Sequence, residues 1–389
     1  MNNFTYEAPT KIYFGRKQEC NVGEYIKPFG KKVMMIHYGE PFIKTTGLYD
    51  RLMDSLKGSG LEVIELTGIV PNPKAEKIRE GIELCRSENV DFLMPVGGGS
   101  VIDTAKAISA GYGYDGDFWD IFVGKGTPGK VLPIGVVLTI AATGSESNCA
   151  AVVTNDEVSA KIGYANPLLY PKFALMNPEL TTTLPKKQTA AACVDIIAHV
   201  LEDYIIDQWN VELNDRFCES IMKTVVEVAP VLMKDPADYD ARAELMWCSN
   251  NACKGFLACG TEIDATSHIL EHELSAKYDV THGVGLAVIQ PAWLRHIYKD
   301  CIPRFAKFAV NVWGCEYNFG HPEKTALEGI ERMESFFESL GMPTHLSQLG
   351  IPGDRIEEMA HNCFNRYGAI TSVKEFTVDD YIEIFRLAL

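Results

Sequence analysis

The sequence predicts an α/β domain followed by an all-helical domain. In the first half of the chain, short apolar runs alternate with segments whose apolar residues recur at helical spacing. Such alternation is typical of a parallel sheet covered by helices on both faces. After TTTLPKK, at 181–187, helical patterns dominate and strand patterns disappear. We therefore place a domain boundary near Leu184, with an α/β domain at 1–184 and a helical domain at 185–389.

Four apolar runs are predicted to be buried strands of the sheet, because continuous apolar runs bounded by turn residues are typical of strands covered on both faces. They are KVMMIHY at 32–38, LEVIEL at 61–66, DFLMPV at 91–96 and VLPIGVVL at 131–138. Between the second and third runs, Ile78, Ile82 and Cys85 share one face of a predicted helix. Ahead of them all, FTYEAPTKIYFG alternates in part, which predicts a further strand near a sheet edge, a natural place for a partner subunit.

Composition and charge narrow the class of partner. The chain of 389 residues is 47% hydrophobic and 23% charged, which suits a globular protein of two domains. Its net charge of −16 argues against nucleic acid or an anionic membrane surface, because lysine and arginine hold those partners. We find neither an apolar run of about eighteen residues nor a charged-then-apolar leader, and expect a cytoplasmic protein with a small-molecule ligand. The eleven cysteines include no CxxC pair and are predicted to be reduced core residues.

A glycine-rich turn follows the third apolar run and precedes a predicted helix. Its residues are Gly97, Gly98, Gly99 and Ser100. Bare backbone N–H groups and a helix N-terminus favour a bound phosphate, although a plain tight turn would show the same glycines. The next strand ends in TIAATGSES, whose Thr139, Thr143 and Ser145 supply hydroxyls at the same edge of the sheet. Two such turns suit a dinucleotide in a Rossmann-like domain, but the usual GxGxxG fingerprint is absent.

Two segments of the helical half predict a metal site. In TSHILEHELSAKYDVTHG, His268 and His272 are four residues apart and share one helical face, and His282 follows the predicted helix end. In TAAACVDIIAHVLEDYI, Asp195 and His199 have the same spacing on an apolar helix, where buried polar groups need partners. A chance cluster of histidines and a structural Asp–His hydrogen bond are the alternatives. The combined set of Asp195, His199, His268 and His282 offers the oxygen and nitrogen ligands that suit Fe²⁺ or Zn²⁺.

Several motifs together resemble the iron-containing alcohol dehydrogenase family. They are GGGSVIDTAK, ATGSE, the Asp195/His199 pair and SHxxxHxxxxxxxxxHG. PNPKAEK, VLTIAATGSESN, VDIIAHVLEDY and HELSAKYDVTHG are similar to its butanol-dehydrogenase-like branch, and the resemblance covers nearly the whole chain. It implies a dinucleotide-binding domain followed by a helical metal-binding domain, with nicotinamide and metal meeting in the cleft between them. It also implies a homodimer or larger assembly.

The resemblance assigns roles to single residues. It implies that Asp195, His199, His268 and His282 bind iron(II) or zinc, and that Asp103 of GGGSVIDTAK is among the cofactor-binding residues. His272 matches a histidine that lies beside the metal without binding it, so it is our candidate for proton relay, with a brace for the ligand helix as the alternative. The implied reaction is reversible hydride transfer between a primary alcohol or its aldehyde and nicotinamide, with the metal as Lewis acid. Phe256 and Asn148 are further candidates to line the substrate pocket.

The preference for one nicotinamide cofactor is predicted from HYGEPFIKTTG, the turn after the KVMMIHY run. Glu40, Pro41 and Phe42 stand where NADPH-dependent members of the branch commonly have small residues. A carboxylate at a strand's carboxyl end can accept both ribose hydroxyls of NAD and repels a 2′-phosphate. Glu40 therefore predicts NAD over NADP, unless its side chain turns into solvent.

Three other functions deserve comparison with this one. A lyase of the dehydroquinate-synthase type would need a site rich in lysine and arginine, but the segments 195–205 and 260–285 are poor in both. A glycerol or diol dehydrogenase of the same fold would usually lack a histidine ligand at the position of His199 or use fewer imidazoles. A noncatalytic nucleotide-binding assembly protein would have no reason to keep a complete metal set. The sequence therefore favours the alcohol dehydrogenase.

Overall fold

The computed structural model describes residues 1–39, 41–370 and 373–389 of the chain. The chain divides into two compact units, Glu7–Thr183 and Leu184–Leu389, and the second unit also includes Met1–Tyr6. The sequence prediction placed those first residues in the α/β domain. They lie instead with the helical unit, where the backbone N–H of Asn2 donates to the carbonyl of Gly260 at 2.8 Å.

Within the described residues, the unit Glu7–Thr183 is built on a parallel sheet of six strands. The strands of the chain, in order, are β1 (Lys11–Phe14), β2 (Lys32–His37), β3 (Glu62–Leu66), β4 (Phe92–Gly97), β5 (Gly135–Leu138), β6 (Ala150–Asn155), β7 (Ala160–Ala165) and β8 (Phe173–Met176). Across the sheet the order is β1-β8-β5-β4-β2-β3, with parallel pairing throughout. Strands β6 and β7 form a separate antiparallel pair. The predicted α/β fold class is confirmed.

Each of the four apolar runs contains a strand, and the FTYEAPTKIYFG segment forms the edge strand β1, as predicted. All six residues of β4 are buried, which agrees with a strand covered on both faces. Strand β8 and the β6–β7 pair were not predicted from the sequence. Strand β8 is only FALM, which is too short for a recognisable pattern, yet it lies between β1 and β5 and joins the edge strand to the sheet.

Helices cover this sheet and form the second unit. In the first unit they are α1 (Val22–Ile26), α2 (Phe42–Thr45), α3 (Leu48–Gly58), α4 (Ala75–Glu88), α5 (Gly99–Tyr112) and α6 (Phe118–Phe122). In the second they are α7 (Lys186–Tyr204), α8 (Glu212–Lys234), α9 (Tyr239–Ala252), α10 (Thr266–Tyr278), α11 (His282–Ile297), α12 (Ile302–Asn311), α13 (Pro322–Ser339), α14 (Ile356–Tyr367) and α15 (Val378–Leu387). Short 3-10 turns link several of them. The predicted all-helical second half is confirmed.

Helices α7 and α11 form the centre of the helical unit. Both are buried over most of their length, as expected of helices that are apolar on nearly every face. Their backbones come close together at Gly283, where an added Cβ would overlap the carbonyl oxygen of Ala191. Among the described residues, no helix has the length and apolarity needed to cross a membrane. Apolar residues of α7 and α11 belong to the main hydrophobic core of this unit.

Candidate active site

Three helices of the second unit supply the predicted metal ligands. Helix α7 carries Asp195 and His199, and helix α10 carries His268 and His272. His282 is the first residue of α11. The helical spacing used in the sequence analysis therefore exists at both pairs, and each pair projects from one helical face.

One carboxylate oxygen of Asp195 lies among three imidazole nitrogens. Its Oδ1 is 3.4 Å from Nε2 of His199, 3.7 Å from Nε2 of His282 and 3.8 Å from Nε2 of His268. These separations exceed the length of an ordinary N–H···O hydrogen bond, and within the described part of the chain this buried oxygen accepts none. Ligand atoms bound at about 2.1 Å to a tetrahedral ion stand about 3.4 Å from one another. Asp195, His268 and His282 each place a ligand atom within 4.8 Å of the others, which fits a shared divalent ion, and His199 faces the same oxygen of Asp195.

A second carboxylate, Glu202, contacts the far side of the His268 ring. Its Oε2 lies 2.7 Å from Nδ1 of His268. Its Oε1 accepts the hydroxyl of Ser267 at 2.7 Å and the backbone N–H of His268 at 3.0 Å. Glu202 is on α7 and these partners are in the first turn of α10, so this buried side chain joins two of the three helices.

A third carboxylate, Glu271, contacts the far side of the His282 ring. Its Oε2 bonds with Nδ1 of His282, and its Oε1 accepts the hydroxyl of Ser275. The side chain is fully buried beside Gly285, where an added Cβ would lie 2.7 Å from Oε1. Glu271 therefore joins α10 to α11 as Glu202 joins α7 to α10.

Glu202 and Glu271 were not predicted from the sequence as site residues, although both positions contain a signal. Glu202 follows His199 by three residues and Asp195 by seven, which places it on the same face of α7. Glu271 follows His268 by three residues on α10. An acidic residue on the inward face of an apolar helix is the observation that could have found both.

His272 lies beside this cluster. It is one turn after His268, it is 8% exposed, and its ring centroid is 5.7 Å from that of His282. Ligand atoms of Glu271, His272 and His282 lie within 4.8 Å of one another. This position agrees with either a proton relay or a brace, and the role of His272 stays a prediction.

The electrostatics of the cluster favour a cation. Burial and the neighbouring His268 lower the pKa of His199 to about 4, which keeps this imidazole neutral and able to bind a metal at pH 7. Burial opposes the charge on His268, but Glu202 and Asp195 outweigh it and raise the pKa of His268 to about 10. Burial likewise opposes the charge on Asp195, but the surrounding imidazoles hold the pKa of Asp195 at about 2. The carboxylates thus attract positive charge to the point that the imidazoles face.

In the first unit, the glycine-rich turn has the predicted position between strand and helix. Strand β4 ends at Gly97 and helix α5 begins at Gly99. An added Cβ at Gly99 would lie 2.6 Å from Oγ1 of Thr143, and one at Gly98 would lie 2.7 Å from Cβ of Ile140. The backbone N–H of Thr139 donates to the carbonyl of Gly97 at 2.9 Å. The two predicted turns therefore pack directly against each other at the carboxyl edge of the sheet.

A buried network holds the second turn in place. The Ser145 hydroxyl donates to Oδ1 of Asp103 at 2.6 Å and lies 2.9 Å from Nζ of Lys106. Lys106 also donates to Oδ1 of Asn148 at 2.9 Å and to the carbonyl of Ala150 at 2.7 Å. Burial raises the pKa of Asp103 and lowers the pKa of Lys106 to about 8. Lys106, which the sequence analysis missed, thus connects α5 to this turn and to β6.

These contacts are internal to the protein, and the predicted cofactor contacts of Asp103 and Ser145 stay predictions. Asn148, a candidate to line the substrate pocket, belongs to the same network. The other candidate, Phe256, lies with its ring centroid 5.8 Å from Tyr6 and 5.1 Å from Phe217.

Glu40, on which the predicted cofactor preference depends, lies outside the described residues. The end of β2 just before it is held by His37, whose Nδ1 accepts the backbone N–H of Gly39 at 3.1 Å. Nε2 of the same ring lies 3.2 Å from Glu65, which also accepts the Tyr49 hydroxyl at 2.6 Å. The strand end that leads into the predicted ribose site is therefore anchored to β3 and α3.

A turn of close-packed glycines in one unit and a carboxylate–imidazole centre in the other are the features of a metal-dependent, nucleotide-linked oxidoreductase. The family model for iron-containing alcohol dehydrogenase matches residues 9–178, and the C-terminal model of the Fe-containing alcohol dehydrogenase family matches residues 189–389. The chain belongs to the iron-containing alcohol dehydrogenase family, in its butanol-dehydrogenase-like branch.

Individual relatives agree with this assignment. The chain is 40% identical to the probable NADH-dependent butanol dehydrogenase 1 of Bacillus subtilis, with 100% of each chain covered. It is 40% identical to NADH-dependent butanol dehydrogenase A of Clostridium acetobutylicum, with 99% of each covered. It is 37% identical to the NADPH-dependent aldehyde reductase YqhD of Escherichia coli, over 92% of this chain and 91% of that one.

A solved structure shows that the similarity of this chain to its relatives includes the fold. The crystal structure of NADH-dependent butanol dehydrogenase A from Thermotoga maritima has a TM-score of 0.96 and 38% identity, and covers 100% of this chain and 99% of that one. The predicted family and reaction class are thereby confirmed, and the protein is an alcohol dehydrogenase and aldehyde reductase of the iron type that uses a nicotinamide cofactor.

Proposed function

We propose that this protein catalyses reversible hydride transfer between a primary alcohol of the butanol type, or its aldehyde, and NAD, with Fe²⁺ or Zn²⁺ bound by Asp195, His199, His268 and His282. The observation that carries the ligand set is the convergence of three Nε2 atoms, at 3.4–3.8 Å, on one buried oxygen of Asp195. The NADH-dependent butanol dehydrogenases among the relatives support the choice of substrate.

The residues of the site would act together on the substrate oxygen. A divalent ion that displaced the proton of His268 would be held by one carboxylate and three neutral imidazoles, would keep net positive charge, and would supply Lewis acidity where negative charge develops on the substrate oxygen. The buried position of Asp195 and His268 strengthens this field, because little water surrounds them. His272, next to the cluster, exchanges the proton of the alcohol with solvent in this proposal.

The glycine-rich turn would bind the pyrophosphate of the cofactor. Gly97, Gly98 and Gly99 let the backbone approach the phosphates, and Ser100 stands in the first turn of α5, where the helix dipole favours negative charge. Thr139 and Thr143 offer hydroxyls from the neighbouring turn. Hydrogen bonds among Asp103, Ser145 and Lys106 join the second turn to α5, the helix that follows the glycine-rich turn.

The preference for NAD over NADP is the part of this proposal that depends on Glu40. The relatives include both NADH-dependent and NADPH-dependent enzymes. A carboxylate in the turn after β2 would accept the ribose hydroxyls of NAD and repel the 2′-phosphate of NADP. We accordingly propose NAD as the cofactor.

The proposal also assigns a role to each of the two units and an oligomeric state to the protein. The unit Glu7–Thr183 would be the dinucleotide-binding domain and Leu184–Leu389 the metal-binding domain. Strand β1 lies at the edge of the sheet, and we propose that it forms the contact of a homodimer or larger assembly. A cytoplasmic location is proposed from the sequence alone. Light scattering tests the assembly, since a species of 43.1 kDa at micromolar concentration would contradict it.

Two measurements test the central proposal. Elemental analysis of protein purified without added metal or chelator should find iron or zinc at about one ion per chain. Purified protein with NADH, Fe²⁺ and butanal should oxidise the cofactor, followed by the absorbance of reduced nicotinamide. A metal-loaded protein that leaves butanal unreduced with either NADH or NADPH would rule out the proposed reaction.

A further inference from the structure

Glu202 and Glu271 stand in equivalent relations to two of the proposed ligands. Each carboxylate contacts the Nδ1 side of an imidazole whose Nε2 faces Asp195. Nδ1 of His268 lies 2.7 Å from Glu202, and Nδ1 of His282 bonds with Glu271. The arrangement thus occurs twice within one cluster, once on α7 and once on α10.

Both carboxylates are buried, which is costly for a charged group without compensation. Glu202 is compensated by the hydroxyl of Ser267 and the backbone N–H of His268, and Glu271 by the hydroxyl of Ser275. These donors engage Oε1 of each glutamate. The other oxygen of each carboxylate, Oε2, contacts Nδ1 of the imidazole. Each glutamate is therefore held in position beside its histidine ring.

The chemistry of imidazole gives these contacts a consequence. A neutral imidazole carries one proton, and a carboxylate next to Nδ1 favours the proton on that nitrogen. The lone pair is then on Nε2, the atom that faces Asp195 in both His268 and His282. The same contact fixes the plane of the ring and makes Nε2 a stronger donor to a metal.

We infer that Glu202 and Glu271 are positioning residues of the metal site, which set the tautomer and orientation of His268 and His282. The inference rests on the proposed ligand set. Each glutamate reaches its histidine from the preceding helix of the three, so the ring orientations depend on the packing of α7 against α10 and of α10 against α11.

Replacement of each glutamate by glutamine tests the inference with little change of shape. Metal affinity of metal-free Glu202→Gln and Glu271→Gln would be measured by titration with Co²⁺ and Zn²⁺ against a competing chelator. We expect affinity to fall by about 10- to 100-fold in each variant, which is the usual effect of removing such a partner. The visible spectrum of bound Co²⁺ should also shift, because the geometry of its ligands changes.

Glu273→Gln is the matched control. Glu273 is also a buried glutamate on α10, and its carboxylate lies 2.6 Å from Nη1 of Arg366. Its replacement should lower the melting temperature of the metal-free protein while leaving metal affinity within about twofold of wild type. Equal losses of affinity in Glu273→Gln and the two test variants would overturn the inference.

Thermal unfolding separates positioning from a purely structural role. A ligand that binds only the folded state raises the melting temperature by an amount that depends on its affinity. We expect the rise on adding Zn²⁺ to be smaller in Glu202→Gln and Glu271→Gln than in wild type. If these variants melt lower without metal but show the wild-type rise with Zn²⁺, the glutamates only support the fold.

His268→Ala distinguishes failure of this inference from failure of the proposed function. If His268→Ala binds metal as wild type does, the ligand set itself is wrong. If His268→Ala loses metal while both glutamine variants keep wild-type affinity, the ligand set stands and the inference about Glu202 and Glu271 fails.

Discussion

Gly283 and Ala191 lie so close together that no side chain fits between them, because a Cβ on Gly283 would overlap the carbonyl oxygen of Ala191. Gly283 follows His282 at the start of α11, and Ala191 is one turn before Asp195 on α7. The contact of two backbones therefore sets the separation of two proposed ligands.

Gly283→Ala should separate α11 from α7. Overpacking of this kind typically costs about 1–3 kcal/mol of the free energy of unfolding, and the displaced His282 should weaken metal binding. Urea unfolding and metal content would measure the two effects. Gly58→Ala, at the end of α3 where an added Cβ meets no atom within 4 Å, is the control and should be close to neutral. Wild-type stability and metal content in Gly283→Ala would contradict this account.

Asp195→Ala and His268→Ala should lose the metal and with it all detectable turnover. Nucleotide affinity should stay within about tenfold of wild type, because the glycine-rich turn that would bind the pyrophosphate belongs to the other unit and keeps its own contacts. Elemental analysis and the quenching of protein fluorescence by NADH would measure the two properties. Wild-type metal content in either variant would refute the ligand assignment.

His272→Ala should keep its metal and react more slowly. If His272 relays the proton, the rate should fall by about 100-fold or more and its dependence on pH should change, since acid–base groups contribute factors of this size. Steady-state rates measured at several pH values from about 6 to about 9 would show both effects. His321→Ala is a suitable control, because His321 is mainly exposed. An unchanged rate and pH profile would reduce His272 to a brace.

Glu40→Gly should weaken the discrimination between the two nicotinamide cofactors. The wild-type protein should have the larger kcat/KM with NADH, because a carboxylate repels the 2′-phosphate of NADPH. In the variant, the ratio of kcat/KM with NADH to kcat/KM with NADPH should fall by about tenfold or more. Repulsion between like charges is large enough to produce a change of this size. A wild-type preference for NADPH, or an unchanged ratio in the variant, would show that Glu40 does not select the cofactor.

Lys106 should make a contribution to stability that rises with pH above about 8, opposite in sign to that of buried thiols such as Cys85 and Cys193, whose pKa values are raised by burial. Burial lowers the pKa of this ammonium to about 8 in the folded protein, from 10.5 for the ordinary group. Between these values Lys106 binds more protons in the unfolded chain, so its own contribution to the free energy of unfolding increases with pH, by an amount on the order of 1–3 kcal/mol. Below pH 8 the contribution is constant. Urea unfolding at several pH values would show it, and Lys106→Met should remove this part of the slope. Identical slopes in the two proteins would contradict it.

Local periodicity predicted much of the candidate site, because helical spacing alone places Asp195 with His199 and His268 with His272. Contacts between elements were harder to predict. Asp103 and Ser145 were chosen separately as cofactor contacts, but their hydrogen bond depends on how α5 packs against the turn after β5. The position of Glu202 on the inward face of α7 could be read from the sequence, but its contact with His268 depends on how α10 packs against α7.

The proposed metal ligands come from three different helices. This affects the stage of folding at which a newly made chain can bind its metal ion. Roughly seventy residues separate His199 from His268, so an unfolded chain would have to close a long loop before both could bind one ion. We therefore expect the ion to enter a site that folding has already built, which refolding with and without added Zn²⁺ would test. Imidazole and carboxylate ligands accept several divalent ions, and the choice among them then depends on which ion is abundant after folding. Cells grown with scarce iron and ample zinc should yield the same polypeptide with a different metal content.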